Sequence, residues 1–273
     1  MSRIAGRFQE LAGQGRKAMI PYVVAGDPGL DVTVPLMHRL VQAGADIIEL
    51  GVPFSDPMSE GPVLQLAHER ALANGISLRT VLQLVREFRQ QDNDTPVLLM
   101  GYANPVVHMG YPVFADAAVD AGVDGLLTVD IPPEEVASLN AELQRVGMDN
   151  IFLIAPTTPS RRIELITAEA SGFIYYVSLK GVTGAGHLDV ADVAHHIGLI
   201  RERSELPVAV GFGIKDAVSA QAVASVADGV VVGSALVDSM ARAIEAGGDH
   251  EAAMDAAVSL LTEIRRGIDS TAS

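Results

Sequence analysis

The chain has 273 residues, 49% apolar and 19% charged, and 34 acidic against 19 basic side chains give a formal net charge of −15. So acidic a surface repels phosphate backbones, which argues against nucleic-acid binding and means that any anion site must act locally against the field of the whole molecule. Cysteine is absent, which excludes disulfides, thiol nucleophiles and cysteine-ligated metals, and nothing argues for secretion.

Residues 1–15 place Ile4, Phe8 and Leu11 at helical spacing, which predicts a short amphipathic N-terminal helix. No apolar run follows it, so it does not read as a signal peptide, and no segment is apolar for long enough to predict a membrane span. The expected compartment is the cytoplasm. A first strand is predicted over 19–25, and Asp31 is expected to precede a helix. The phrase Ala43-Gly44-Ala45-Asp46 then leads into a second strand, 46–51. A third strand follows at 97–102. The phrase returns as Ala121-Gly122-Val123-Asp124 before a fourth strand, 125–129. Pro132-Pro133-Glu134-Glu135 is expected to open a helix, and Ser160 to precede another after a fifth strand, 151–155. A weaker echo, Ala170-Ser171-Gly172, comes before a sixth strand at 173–178. The glycine-rich run 181–186 lacks the spacing of a dinucleotide fingerprint. A seventh strand is predicted over 208–211, Asp216 is expected to cap a helix, and Ala227-Asp228-Gly229 introduces an eighth strand, 229–232. The polar tail, 269–273, is expected to fray.

Most of these strands are continuously apolar, as parallel strands covered on both faces are. Glycine after a helix stops it by taking positive φ, so the repeated phrase reads as punctuation between serial strand–helix units. Eight such units with no linker predict one domain over 1–273, a single (β/α)8 or TIM barrel with a short N-terminal helix. An open doubly wound sheet is the alternative.

The active site of such a barrel lies at the C-terminal strand ends. Glu49 stands there inside an apolar strand, and alternation puts Ile47, Glu49 and Gly51 on one face. A carboxyl in an apolar wall has a raised pKa and can both donate and accept a proton near neutrality. The alternative is a structural glutamate paired with a base, although the chain has only three lysines and no arginine close by in sequence. Glu60, eleven residues on, is a candidate second carboxylate facing the first. Gly213, Gly233 and Ser234 suggest a phosphate cradle after the last two strands, where backbone N–H groups and a helix N-terminus favour an anion. The same glycines could instead only close tight turns. Tyr175 and Asp130 stand at strand ends, where contact with ligand and a core or capping role are both open. His195-His196 sits in a predicted helix, where adjacent side chains diverge, and no metal-ligand spacing occurs, so no metal is expected.

The run from Glu49 to Pro57, Glu49-Leu50-Gly51-Val52-Pro53-Phe54-Ser55-Asp56-Pro57, followed by Glu60-Gly61-Pro62, resembles the signature of the tryptophan synthase α chain family. Tyr102-Ala103-Asn104-Pro105, Gly181-Val182-Thr183-Gly184-Ala185, Gly211-Phe212-Gly213-Ile214 and Gly233-Ser234-Ala235 are similar to further family landmarks in the same order. The resemblance implies a lyase of tryptophan biosynthesis that splits indole-3-glycerol phosphate into indole and glyceraldehyde 3-phosphate by retro-aldol chemistry. Glu49 would protonate C3 of the indole and help remove the glycerol hydroxyl proton. Glu60 would take the place of a second acid at the indole N–H, with Tyr175 beside Glu49. Tyr102, Leu127, Asp130, Thr183, Gly184, Phe212, Gly213, Gly233 and Ser234 would contact substrate or phosphate, and Thr183 would help close the site. The resemblance also implies a β subunit in an α2β2 heterotetramer, met through Pro53, Asp56, Asn104 and Pro105. Pyridoxal phosphate would belong to that partner, leaving no cofactor in this chain. Two positions depart from the pattern: the second acid is usually aspartate, and Ser59 stands where a small apolar residue is usual.

Two other readings remain open on the residues alone. A different phosphate-binding barrel enzyme, such as an aldolase using Lys180 or Lys215, explains the glycines but not the run around Glu49. A regulatory subunit that only binds a phosphate ligand leaves the intact Glu49 without a role.

Overall fold

The computed structural model describes residues 2–178, 189–211 and 213–271. In chain order the elements are α1 (Arg3–Gly13), β1 (Ala18–Val24), α2 (Thr33–Gln42), β2 (Ile48–Gly51), α3 (Pro62–Ala73), α4 (Leu78–Phe88), β3 (Val97–Gly101), α5 (Ala103–Met109), α6 (Tyr111–Ala121) and β4 (Gly125–Thr128). They continue with α7 (Ala137–Val146), β5 (Asp149–Ile154), α8 (Ser160–Glu169), β6 (Ile174–Val177), α9 (Val190–Arg201), β7 (Val208–Gly211), α10 (Ala217–Ala224), β8 (Gly229–Val232), α11 (Ser234–Glu245) and α12 (His250–Asp269). The strands pair in parallel in sequence order, and β1 closes on β8, so the eight expected strands form a closed barrel and not an open sheet.

Two apolar cores result. One lies mostly between the strands and the surrounding helices. The other fills the barrel and joins Ile20, Ile47, Leu98, Leu127, Ile151 and Tyr175 to Ile4, Phe8 and Leu11 of α1. The apolar stripe seen in the N-terminal sequence is therefore the plug of the barrel floor, and Phe8 packs on Phe173 with ring centroids 5.4 Å apart. Ser2 caps α1 and also donates to Asp149.

The punctuating phrases do more than stop helices. Gly44 and Gly122 take φ of 101° and 89°, as expected of helix stops. The aspartates beside them pin neighbouring strands. Asp46 accepts from the N–H of Met19 at 2.9 Å, Asp124 from Val97 at 2.8 Å and Asp228 from Val208 at 2.9 Å. Each time the aspartate before an even strand ties down the start of the odd strand preceding it. All three are also ion-paired: the buried Asp46 with Arg265 at 3.0 Å and Asp124 with Arg89 at 2.7 Å, and the half-buried Asp228 with Arg201 at 3.0 Å.

Several expected helix starts move. Val32, not Asp31, is the N-cap of α2, and Asp31 instead faces His250 at 3.2 Å. The 132–135 segment forms a turn closed by the N–H of Glu135 donating to the carbonyl of Pro132, and α7 begins only at Ala137. Ser160 is the first residue of α8, with Pro159 as the cap. Asp216 does cap α10, in a reciprocal capping box with Ser219. Asp269 completes α12 and accepts from Arg265 at 2.5 Å, so the expected fraying does not begin there.

Candidate active site

The C-terminal strand ends open into a cavity of about 820 Å³. Its apolar wall includes Leu64, Met100, Ile214, Val231 and Leu260, and Gly213, Gly233 and Ser234 line it beside Glu60, Tyr22 and Tyr175. An apolar wall with a few convergent polar groups is the usual form of a small-molecule site.

Glu49 lies on β2 in register with Tyr22 of β1 and Leu98 of β3, which turns all three toward the barrel interior. It is fully buried, and neither carboxylate oxygen has a hydrogen-bond partner. Burial first, and the nearby Glu60 second, push its pKa from 4.5 up to about 8, and nothing pulls it down. A carboxyl kept neutral in this way can give a proton and then take one back. Among the described residues no base pairs with Glu49, as the alternative of a structural glutamate would require.

Two tyrosines stand over Glu49. Burial and the Glu49 and Glu60 carboxylates push both the Tyr22 and Tyr175 hydroxyls well above their ordinary value. Their positions depend on two glycines at strand ends. A Cβ on Gly51 would stand 2.4 Å from the Tyr22 hydroxyl, and one on Gly211 would stand 2.3 Å from that of Tyr175. These glycines make room for phenols, a role that turn chemistry in the sequence does not suggest. Tyr22 was not a sequence candidate. It sits in an apolar first strand, where an aromatic reads as core, and only closure of β1 onto β2 and β8 brings it into the cavity.

Glu60 comes from the segment before α3, and its carbonyl accepts from Gln65 at 2.9 Å. Far from being a solvated loop acid, it is buried, with His68 Nε2 of α3 lying 2.5 Å from its Oε2. His68 is itself buried and accepts at Nδ1 from the N–H of Phe54 at 3.0 Å. His68, one of the seven histidines of the chain, is not a sequence candidate, because its distance of eight residues from Glu60 offers no motif.

Tyr102, Asp130 and Leu127, like Glu49, are not among the residues that line this cavity. The Tyr102 hydroxyl accepts from the N–H of Ser59 at 3.2 Å, and its ring stacks on Phe54 at 4.9 Å. Asp130 is exposed and accepts from Ala103 N–H at 2.7 Å, at the N-terminus of α5. Leu127 is buried within the barrel core. Thr183, Gly184 and Phe212, like Lys180, lie outside the described residues. Asp56 and Asn104 are exposed and Pro105 is half-buried, whereas Pro53 is buried and presents no surface to a partner. His195 and His196 meet edge to face, and no cluster that could hold a metal ion occurs among the described residues.

The cradle at the far side is the N-terminus of α11. Gly233 is its N-cap and no side chain caps it, so the first-turn N–H groups of this 12-residue helix face the cavity beside Gly213. Such a terminus attracts an anion.

Comparison with known proteins agrees with this geometry. A family profile described as tryptophan synthase alpha chain matches residues 8–266. The chain is 60% identical to the tryptophan synthase alpha chain of Thioalkalivibrio sulfidiphilus over 98% of its own length and 100% of the relative's. It is 58% identical to that of Nitrosococcus oceani, covering 99% of both. The crystal structure of tryptophan synthase subunit alpha from Legionella pneumophila superposes with a TM-score of 0.91 at 44% identity, covering 99% of each chain.

Proposed function

The chain belongs to the tryptophan synthase alpha chain family, a lyase that cleaves indole-3-glycerol phosphate to indole and glyceraldehyde 3-phosphate, and from that premise we propose how its residues divide the work. Glu49 is the acid–base centre. In its neutral form it protonates C3 of the indole ring, and the resulting carboxylate takes the proton of the glycerol hydroxyl beside the bond that breaks. The carbonyl of the aldehyde forms, the C3–C bond opens, and its electrons return to the ring. The net result is transfer of the hydroxyl proton to C3, with Glu49 returned to its starting form. Glu60 accepts from the indole N–H and stabilises the positive charge that C3 protonation places on the ring. Tyr175 and Tyr22 wall the reacting atoms off from water, and a drier site strengthens each of these interactions. The phosphate rests on Gly213, Gly233 and Ser234 at the head of α11, and Thr183, Gly184 and Phe212 are assigned to the same ligand.

The observation that carries this reading is the buried Glu49 carboxyl, without a hydrogen-bond partner among the described residues and with its pKa raised to about 8, beside Tyr22 and Tyr175, which line the cavity that also receives the uncapped N-terminus of α11. The test is an assay for equal amounts of indole and glyceraldehyde 3-phosphate, run on the native chain and on Glu49→Gln. Turnover retained by the variant removes Glu49 from the mechanism.

Membership of the family implies a β subunit, and we assign the assembly as α2β2, with pyridoxal phosphate in the partner and none in this chain. The buried Tyr102 ties the segment around Asp56 to the start of α5 at Asn104 and Pro105, through the Ser59 N–H and the Phe54 ring, and we assign these two segments to the partner-facing surface. Met58, 77% exposed, is an apolar anchor on it. No helix among the described residues is long and apolar enough to cross a membrane, and the cytoplasm is the assigned compartment. Residues 1–273 act as one barrel domain.

A further inference from the structure

We propose that His68 is the positioning residue for the Glu60 carboxylate, acting as a fixed hydrogen-bond donor whose orientation is set by the backbone of Phe54. The proposal rests on the reading that Glu60 serves the substrate. Its chemistry follows from three contacts. The Phe54 N–H donates to Nδ1 at 3.0 Å, so Nδ1 must be the bare, accepting nitrogen of the ring. A neutral imidazole then carries its proton on Nε2, the nitrogen 2.5 Å from Glu60 Oε2. The hydroxyl of Tyr22 is 3.3 Å from the same Nε2 and, facing a protonated nitrogen, can only be a second acceptor. The ring is therefore held at one end by main chain and presents one N–H at the other, which fixes its tautomer as outer partners fix ligating histidines.

This accounts for glutamate at position 60. An aspartate there would be one methylene, about 1.5 Å, short of the imidazole. Glu60 spans that gap and brings its buried Oε2, which makes no other hydrogen bond among the described residues, to 2.5 Å from Nε2. The histidine fixes one oxygen and leaves the other to face the substrate.

The test separates the two ends of the ring. In His68→Asn the side-chain carbonyl takes the place of Nδ1 and keeps the Phe54 N–H, but no donor reaches Glu60. In His68→Gln an amide N–H replaces Nε2. Indole release by His68→Asn is expected to fall in kcat by ~10–100-fold with KM little changed, the scale set by a carboxylate misplaced by about 1 Å. His68→Gln should recover most of that loss. In a Glu60→Ala background, His68→Asn should cost nothing more. An unchanged kcat in His68→Asn, or the same loss with and without Glu60, overturns the proposal while leaving the role of Glu60 standing. A Glu60→Ala variant as active as the native chain removes that role and the proposal with it. Should His68→Asn fail to fold, nitrogen NMR of the native chain decides: an Nε2–H tautomer supports the proposal, and an Nδ1–H tautomer overturns it.

Discussion

The two ends of the barrel treat buried acids in opposite ways. At the floor, Asp46 is held by Arg265 and the Met19 N–H, Asp124 by Arg89, Arg3 and the Val97 N–H, and Asp149 by Ser2. At the mouth, among the described residues, neither Glu49 oxygen nor Glu60 Oε2 has a hydrogen-bond partner, and Glu60 has the close contact with His68. Burial raises the pKa of Asp46 as it does that of Glu49, but at Asp46 the Met19 N–H and Arg265 pull the other way. The floor acids thus serve to hold strands together, and the mouth acid is left able to exchange a proton. An unpartnered carboxyl is costly to bury, and the cost is borne where reaction requires it.

The largest effect is expected from removing the contrast at the mouth. Glu49→Gln should lower kcat for indole release by ~10²–10⁴-fold, the range of general acid–base catalysis, while the fold survives. Breaking the floor instead should cost stability and not chemistry. Arg265→Leu leaves Asp46 buried and unpaired, and denaturant unfolding should show a loss of about 3–5 kcal/mol, with kcat of the folded fraction unchanged. A large drop in kcat would show that the two ends are coupled.

The pH dependence sharpens the same point. With a folded pKa of about 8 against 4.5, Glu49 keeps a proton in the folded chain that the unfolded chain has already lost. Its contribution to stability is therefore most favourable below 4.5 and is lost as pH rises through about 8. Thermal melts across this window should show a downward slope, at most ~1.4 kcal/mol per pH unit, that Glu49→Gln removes. For the same reason kcat/KM should fall above about pH 8, as the proton-donating form disappears. A smaller effect is expected at Gly211→Ala, whose Cβ displaces the Tyr175 hydroxyl, and a kcat loss of ~10²-fold or less should follow with little change in Tm.

The eight strands were legible within two residues at each end, because a parallel strand covered on both faces must be apolar throughout. Glu49 was legible for the complementary reason: a charge inside such a run has no structural excuse. Asp31 does precede α2, whereas the helix expected to open at 132–135 begins at Ala137 and Ser160 is the first residue of α8, since a polar residue near a helix start does not fix the capping position. Asp130, left open between ligand contact and capping, accepts from the Ala103 N–H at the start of α5, and Tyr102 accepts from the Ser59 N–H, contacts that a strand-end position alone does not specify.

The amino-acid order alone settled the eight strands, the apolar stripe of α1 and the lone carboxyl of β2, since each is a pattern within one element. Only the closed structure decided that α1 plugs the floor, that Gly51 and Gly211 make room for Tyr22 and Tyr175, and that His68 meets Glu60. Those are contacts between elements, and their geometry is created when β1 pairs with β8 and the helices pack around the ring.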